Sequence, residues 1–278
     1  MSKTSLESKM NDESQLTYTE IDHGDGPLKI AMRIRKGRDD APMLVWFSGY
    51  GSDMLGSKAE ALDAYAGENG LAMLRFDYTG HGESEGAFKD GTISRWLADA
   101  LKAIAHAAPE RVIIIGSSMG GWLALRAVQE LKAKAGAPAI DGLLLLAPAP
   151  DFTSELIEPD LTDAQCKALA ENGYFAEQSI YGPEPTIYTA ALLDDGRRNM
   201  VLTGIIETGC PVHIIQGKQD PDVPYKHALK LMSHLPADDV VLTLVQDGDH
   251  RLSRPEDIAR MLTALSGLLE TAAEHRAG

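Results

Sequence analysis

The sequence predicts an α/β fold: an eight-stranded, mostly parallel sheet flanked by helices, with a helical insertion in its second half. Two observations carry this. Short apolar runs rich in β-branched residues alternate with stretches of helical period along most of the chain. Most of those runs are apolar on both faces, as strands of a parallel sheet covered by helices on either side must be.

Taken in order, strands are expected at 15–21 and 28–35, where polar and apolar residues alternate as in an exposed antiparallel edge. Fully apolar strands follow at 42–48, 71–78, 112–116, 142–147, 211–217 and 240–246, among them "LVWF" and "LLLL". Helical periods fall between them at 57–68, 93–107, 119–133, 225–234 and 255–273, giving right-handed crossovers. From Pro148 to Gly209 the alternation stops. Helical stretches and tyrosines occur there without a strand pattern, over a length too great for a plain loop. We therefore expect a helical cap inserted at about 152–208 into a single domain spanning 15–278, behind a polar, disordered tail at 1–14.

Charge and composition exclude several function classes. With 26 basic against 41 acidic residues the net charge is -15, which repels nucleic acid and anionic membranes. No apolar run approaches the roughly 20 residues of a membrane span, so no membrane insertion is expected. The tail carries neither the apolar core of a secretory signal nor the arginine-rich make-up of a transit peptide, and a cytoplasmic location is expected. Cys166 and Cys210 lack the spacing of a disulfide framework or zinc site and read as reduced structural thiols. Oligomeric state is not legible.

The residues that carry chemistry sit at the ends of the apolar strands. Gly116-Ser117-Ser118-Met119-Gly120 runs from a strand into a helix, and only Ser118 has glycines both two before and two after it. A strained strand-to-helix elbow needs those neighbours bare, so Ser118 is the candidate nucleophile. A glycine-rich helix cap is the structural alternative.

Serine needs a base, and the base needs an orienting group. Asp220, in "KQDPDVP" directly after a strand, is the candidate acid. Asp222 reads as a helix-entry residue, and Asp151, also after a strand, is a second candidate. His250, in "DGDHRLSRPED" between the last strand and the last helix, is the candidate base; His81 and His106 read as structural. The backbone amides of Met119 and of Tyr50, in "FSGYGSDM", are the candidate oxyanion donors. No metal or organic cofactor is required.

With these residues in place, the chain resembles the α/β-hydrolase superfamily from about Leu28 onward. "RFDYTGHGESEG" resembles its D-x-x-G-x-G-x-S turn through Asp77, Gly80, Gly82 and Ser84. "SGYGSDMLGSKA", "GSSMGGWLALRA", "ENGYFAE" and "CPVHIIQGKQDPDVPY" with "DHRLSRPEDI" resemble the mitochondrial palmitoyl-protein thioesterase and acyl-glucuronide esterase group. Ser48 departs from the superfamily's frequent His-Gly motif.

The resemblance implies a serine esterase or thioesterase acting on small-molecule acyl esters, acyl thioesters or acyl glucuronides. Phe152, Leu156, Ile157, Leu161, Tyr174, Phe175 and Tyr181 of the insertion form either an apolar wall for an acyl chain or packing onto the core. An aminopeptidase-like amidase is the alternative enzyme, with Glu155 and Glu158 as candidate partners of a substrate amine. A non-catalytic, ligand-binding scaffold is the alternative outside catalysis.

Overall fold

A computed structural model of the chain describes residues 14–179, 182–236 and 239–277, without the side chains of 275–277. Apart from Ser14, the tail expected at 1–14 lies outside the described residues, as does Tyr181.

The strands are β1 (Gln15–Asp22), β2 (Pro27–Arg35), β3 (Met43–Phe47), β4 (Met73–Phe76), β5 (Arg111–Ser117), β6 (Ala139–Leu146), β7 (Tyr174–Glu177), β8 (Thr186–Thr189), β9 (Val212–Gly217) and β10 (Val240–Val245). Eight of them make one sheet in the order β1-β2-β4-β3-β5-β6-β9-β10, and β7 pairs with β8 apart from it. β2 is antiparallel to both β1 and β4; every other neighbouring pair in the large sheet is parallel.

The helices are α1 (Ser57–Glu68), α2 (Ile93–Ala107), α3 (Met119–Ala133), α4 (Asp163–Asn172), α5 (Ala190–Arg198), α6 (Tyr225–Ser233) and α7 (Pro255–Ala277). β5 shows why its sequence is apolar throughout. Val112 and Ile114 face a core with Trp96 of α2 and Trp122 of α3, while Ile113 and Ile115 face a second core with Leu62 of α1 and Leu265 of α7. Each such fully buried isoleucine contributes about 1.5–3 kcal/mol relative to an exposed one.

Three expectations are corrected. β2 is not an exposed edge: between β1 and β4 its Ile30, Ala31 and Met32 are wholly buried, and β1 alone takes the edge. β10, read as covered on both faces, is the opposite edge and leaves Val241 and Leu244 exposed. The connection from β6 to β9 contains a hairpin, β7 with β8, as well as helices; strands of four residues are too short to display a period.

That connection is tied by polar contacts to the helices α2 and α3 that pack on the sheet. Asp195 of α5 accepts from the Ser94 amide and hydroxyl at 2.7 and 2.9 Å, and Trp122 Nε1 donates to the Asn199 carbonyl at 3.0 Å. Among the described residues no helix is long and apolar enough to cross a membrane.

Candidate active site

β5 ends at Ser117 and α3 begins at Met119, leaving Ser118 alone at the joint with φ 55 and ψ -121. For a residue with a side chain this backbone is strained, by about 1–3 kcal/mol. The surroundings hold it there. Its amide donates to the Leu146 carbonyl at 2.9 Å, and its carbonyl accepts from Gly121 and Ala149 at 2.9 and 3.1 Å.

The flanking glycines are required by contact. A Cβ on Gly116 would lie 2.4 Å from the Gly120 carbonyl oxygen, and one on Gly120 would lie 2.2 Å from that of Phe47. Ser117 is buried, whereas Ser118 is partly exposed.

Two loops at the carboxyl ends of β9 and β10 bring Asp220 and His250 to this serine. His250 Nδ1 is 2.8 Å from Asp220 Oδ2, and His250 Nε2 is 3.1 Å from Ser118 Oγ. A proton on Nδ1, donated to the carboxylate, leaves Nε2 free to accept from the serine hydroxyl.

The Asp220 side chain is fully buried and held by other donors. Its Oδ1 accepts from the Asp222 and Val223 amides at 2.9 and 2.8 Å, and its Oδ2 also accepts from Gln216 Nε2 at 3.0 Å. Gly217 lets the His250 loop approach β9, since a Cβ there would lie 2.5 Å from the carbonyl oxygens of Gly248 and Asp249. Lys58 of α1 donates to the Arg251 carbonyl and, at 3.5 Å, to Ser253 Oγ, which pins the loop just beyond His250; burial pushes this ammonium down to about 8.

Asp220, Asp222 and His250 bring potential metal-ligand atoms within 4.8 Å of one another. Both oxygens of Asp220 and both ring nitrogens of His250 are already engaged in the hydrogen bonds above.

The loop after β3 passes directly beside the serine: a Cβ on Gly49 would lie 3.4 Å from Ser118 Cβ and 4.0 Å from its Oγ. Tyr50 follows in this loop, and Met119 opens α3, where helix N–H groups lack intrahelical acceptors. Among the described residues no acceptor takes the amide hydrogen of Tyr50 or of Met119.

In the sequence Asp77 falls within a family-like turn and His81 reads as structural, and neither is tied there to this loop. The Gly51 amide donates to His81 Nε2 at 3.2 Å, and the Met54 amide donates to Asp77 Oδ1 at 2.7 Å. The Tyr50 hydroxyl donates to the Ile187 carbonyl of β8. The D-x-x-G-x-G-x-S likeness was the available signal for Asp77; His81, inside the same turn, had none of its own.

The second candidate acid, Asp151, is elsewhere. It is fully buried, and its carboxylate accepts the amides of Val201 and Leu202. Glu155 is paired with Lys230 at 2.5 Å and Glu158 with Arg197 at 2.6 Å, so neither is presented as an open partner for a substrate amine. Phe152 and Phe175 are buried, the former edge-on to Tyr50 and Trp122, the latter against Tyr188. Leu156 and Ile157 pack partly buried on the core, and Tyr174 lies more exposed under Lys89.

The profile described as "Alpha/beta hydrolase family" matches residues 44–261. The mitochondrial palmitoyl-protein thioesterase ABHD10 of Bos taurus is 29% identical over 247 residues, covering 87% of this chain and 76% of the relative. That of Mus musculus is 29% identical over 242 residues, covering 87% and 79%.

Among solved structures, a putative hydrolase from Agrobacterium vitis S4 superposes with a TM-score of 0.91 at 56% identity, over 92% of this chain and 99% of its own. Alpha/beta hydrolase domain-containing protein 10 from mouse gives 0.79 at 26% identity, over 91% and 98%.

Proposed function

The chain belongs to the alpha/beta hydrolase family, and from that premise we propose that it is a serine hydrolase cleaving a carboxylic ester or thioester, acyl glucuronides included, through an acyl-enzyme on Ser118. The observation that carries this reading is His250, hydrogen-bonded at once to Ser118 at 3.1 Å and to Asp220 at 2.8 Å, with the serine raised on its strained elbow.

In this mechanism Ser118 Oγ attacks the acyl carbonyl carbon while His250 Nε2 takes the hydroxyl proton, and Asp220 stabilises the imidazolium. The amides of Tyr50 and Met119 hold the oxyanion. His250 then delivers the proton to the departing alkoxide or thiolate. A water molecule attacks the acyl-enzyme with its proton going to the same nitrogen, releasing the carboxylic acid and restoring the serine.

The thioesterase names of the curated relatives support esters and thioesters as the substrate class. The pairing of Glu155 and Glu158 with basic residues weighs against an aminopeptidase. We further propose that 15–278 act as one domain, with the β6–β9 connection as a cap over the site.

The test is covalent labelling by a fluorophosphonate, read by intact mass and peptide mapping. A single adduct on Ser118, absent in Ser118→Ala and strongly slowed in His250→Ala, is expected. Folded protein that takes no label, or takes it on Ser117, defeats the reading. Turnover of a neutral acyl ester, an acyl thioester and an aminoacyl anilide then separates esterase from amidase.

A further inference from the structure

The loop that passes Ser118 is anchored one peptide beyond Tyr50. Gly51, at φ +65, donates its amide hydrogen to His81 Nε2 at 3.2 Å. A ring nitrogen that accepts carries no proton, so the proton of His81 resides on Nδ1, which faces the Thr79 carbonyl at 3.4 Å.

That carbonyl is itself fixed. It accepts from Trp96 Nε1 at 3.1 Å, while the Thr79 amide and hydroxyl both donate to the buried Asp99 carboxylate at 2.8 Å, which also meets His23 Nε2 at 2.8 Å. The imidazole stands edge-on to Tyr78, Phe88 and Trp96, with centroids 5.6, 5.0 and 5.2 Å away. It is only 5% exposed. Burial pushes it down to about 4, against the opposing pull of the carboxylates of Asp99 from α2 and Asp53 from its own partner loop, so it is neutral across ordinary working pH.

A neutral, ring-clamped imidazole whose one acceptor nitrogen points at this loop does more than fill the core. We propose that His81 is a positioning residue for the oxyanion site: by accepting the Gly51 N–H it fixes the Tyr50–Gly51 peptide, and through it the aim of the preceding Tyr50 amide. The inference rests on the reading of Tyr50 and Met119 as oxyanion donors. Donors aimed in advance stabilise a developing charge without reorganising, so a loop released from His81 loses transition-state binding while ground-state binding stays.

Three variants separate this role from simple packing. His81→Gln places an amide oxygen near the position of Nε2 and keeps the acceptor. His81→Asn keeps a polar group near Nδ1, and His81→Phe keeps the ring contacts; both lose the acceptor. Folding is checked by circular dichroism and thermal midpoint, and rates on a p-nitrophenyl acyl ester are expressed per site titrated with fluorophosphonate.

His81→Asn and His81→Phe are expected to lower kcat by about tenfold to a hundredfold with KM within about twofold, and His81→Gln to stay within about fivefold of the parent. Inhibition by a trifluoromethyl ketone, whose adduct with Ser118 carries an oxyanion, weakens by the same factors. Where Phe at this position prevents folding, the Gln and Asn pair of similar bulk carries the comparison. Unchanged kcat per titrated site in His81→Asn, or a His81→Gln as impaired as His81→Asn, overturns the proposal. If Ser118→Ala retains hydrolysis, the proposed function has failed; if Ser118→Ala is inert and the His81 variants turn over normally, only this inference has.

Discussion

Asp151 and Leu202 are joined across the two ends of the β6–β9 connection: the Leu202 amide donates to Asp151 Oδ2 at 2.8 Å, and the neighbouring Val201 amide reaches both oxygens of the same carboxylate at 2.8 and 3.1 Å. Asp151 itself sits at φ 56 and accepts on its carbonyl from Ser154 and Glu155, starting the first turn of the connection. One buried side chain thus closes the connection where it leaves the sheet and where it returns.

The two strand-end aspartates should therefore fail in different ways. Asp151→Ala leaves two buried amides without an acceptor and is expected to cost about 2–3 kcal/mol of stability, with kcat per active site retained. Asp220→Asn is expected to keep most of the stability and to lower kcat by about 10⁴-fold, because the amide favours the wrong tautomer of His250. Urea unfolding and turnover per titrated site, measured on both variants, read the contrast; an Asp151 variant that folds normally and loses turnover would reverse the assignment.

Gly120→Ala tests the elbow. The added Cβ would lie 2.2 Å from the Phe47 carbonyl oxygen and 2.6 Å from that of Ser48, both backbone atoms at the end of a central strand. Since backbone cannot step aside as a flexible side chain can, a loss of about 3 kcal/mol or more is expected, together with loss of fluorophosphonate labelling in whatever fraction folds. Gly182→Ala is the control: a Cβ there meets nothing within 4 Å, and its stability should match the parent.

The same contacts explain how much of the site was legible. Ser118 was readable because a strained joint leaves a trace in the residues two away, and Asp220 and His250 because both directly follow apolar strands. His81 and the Tyr50 hydroxyl were not, since their partners are a backbone amide and a backbone carbonyl, at Gly51 and Ile187, which carry no residue-specific mark. In the sheet, β5 announced its burial by being apolar on both faces. β10 is equally apolar and yet lies at an edge, because strand order is set by which crossovers pack and not by the composition of any one strand.

Buried histidines give the fold an acid limit. Burial lowers His81 to about 4, and it lowers His213 and His227 as well. In the unfolded chain these imidazoles bind protons below about pH 6.5, while folded His81 binds its proton only near 4. Between those values the unfolded state holds more protons, so stability is complete above the ordinary imidazole value and declines as pH falls, by about 3 kcal/mol for His81 alone. The carboxyls of Asp77 and Asp151, raised by burial, act in the opposite sense near the bottom of the window. Urea midpoints at pH 7 and pH 5 should show the decline, and His81→Gln should show a shallower one; an identical slope in the variant would assign the effect to other groups.

Tyr50→Phe probes the cap side of the same loop. The ring is stacked on Tyr188 of β8, 5.6 Å away and 4° from parallel, and stands edge-on to Phe88, Trp96 and Phe152. Burial, with the neighbouring Tyr188, holds the phenol far above its ordinary range, so it stays an O–H and donates to the Ile187 carbonyl at any pH at which the protein folds. Removing the oxygen keeps the aromatic packing and takes one hydrogen bond from a half-buried carbonyl, a cost of about 0.5–1.5 kcal/mol. If the hydroxyl served packing alone, that cost would appear as lowered stability with unaltered kinetics. Because the same residue supplies the proposed oxyanion amide, the tie to β8 is expected to steady that amide as well. The expected result is a fall in kcat of about threefold to tenfold per titrated site beside the stability loss, and a double variant with His81→Asn whose loss differs from the product of the two single losses, since two tethers on one short loop do not act independently. Losses that add in the double variant as they do for distant sites would mean that the two contacts serve separate elements.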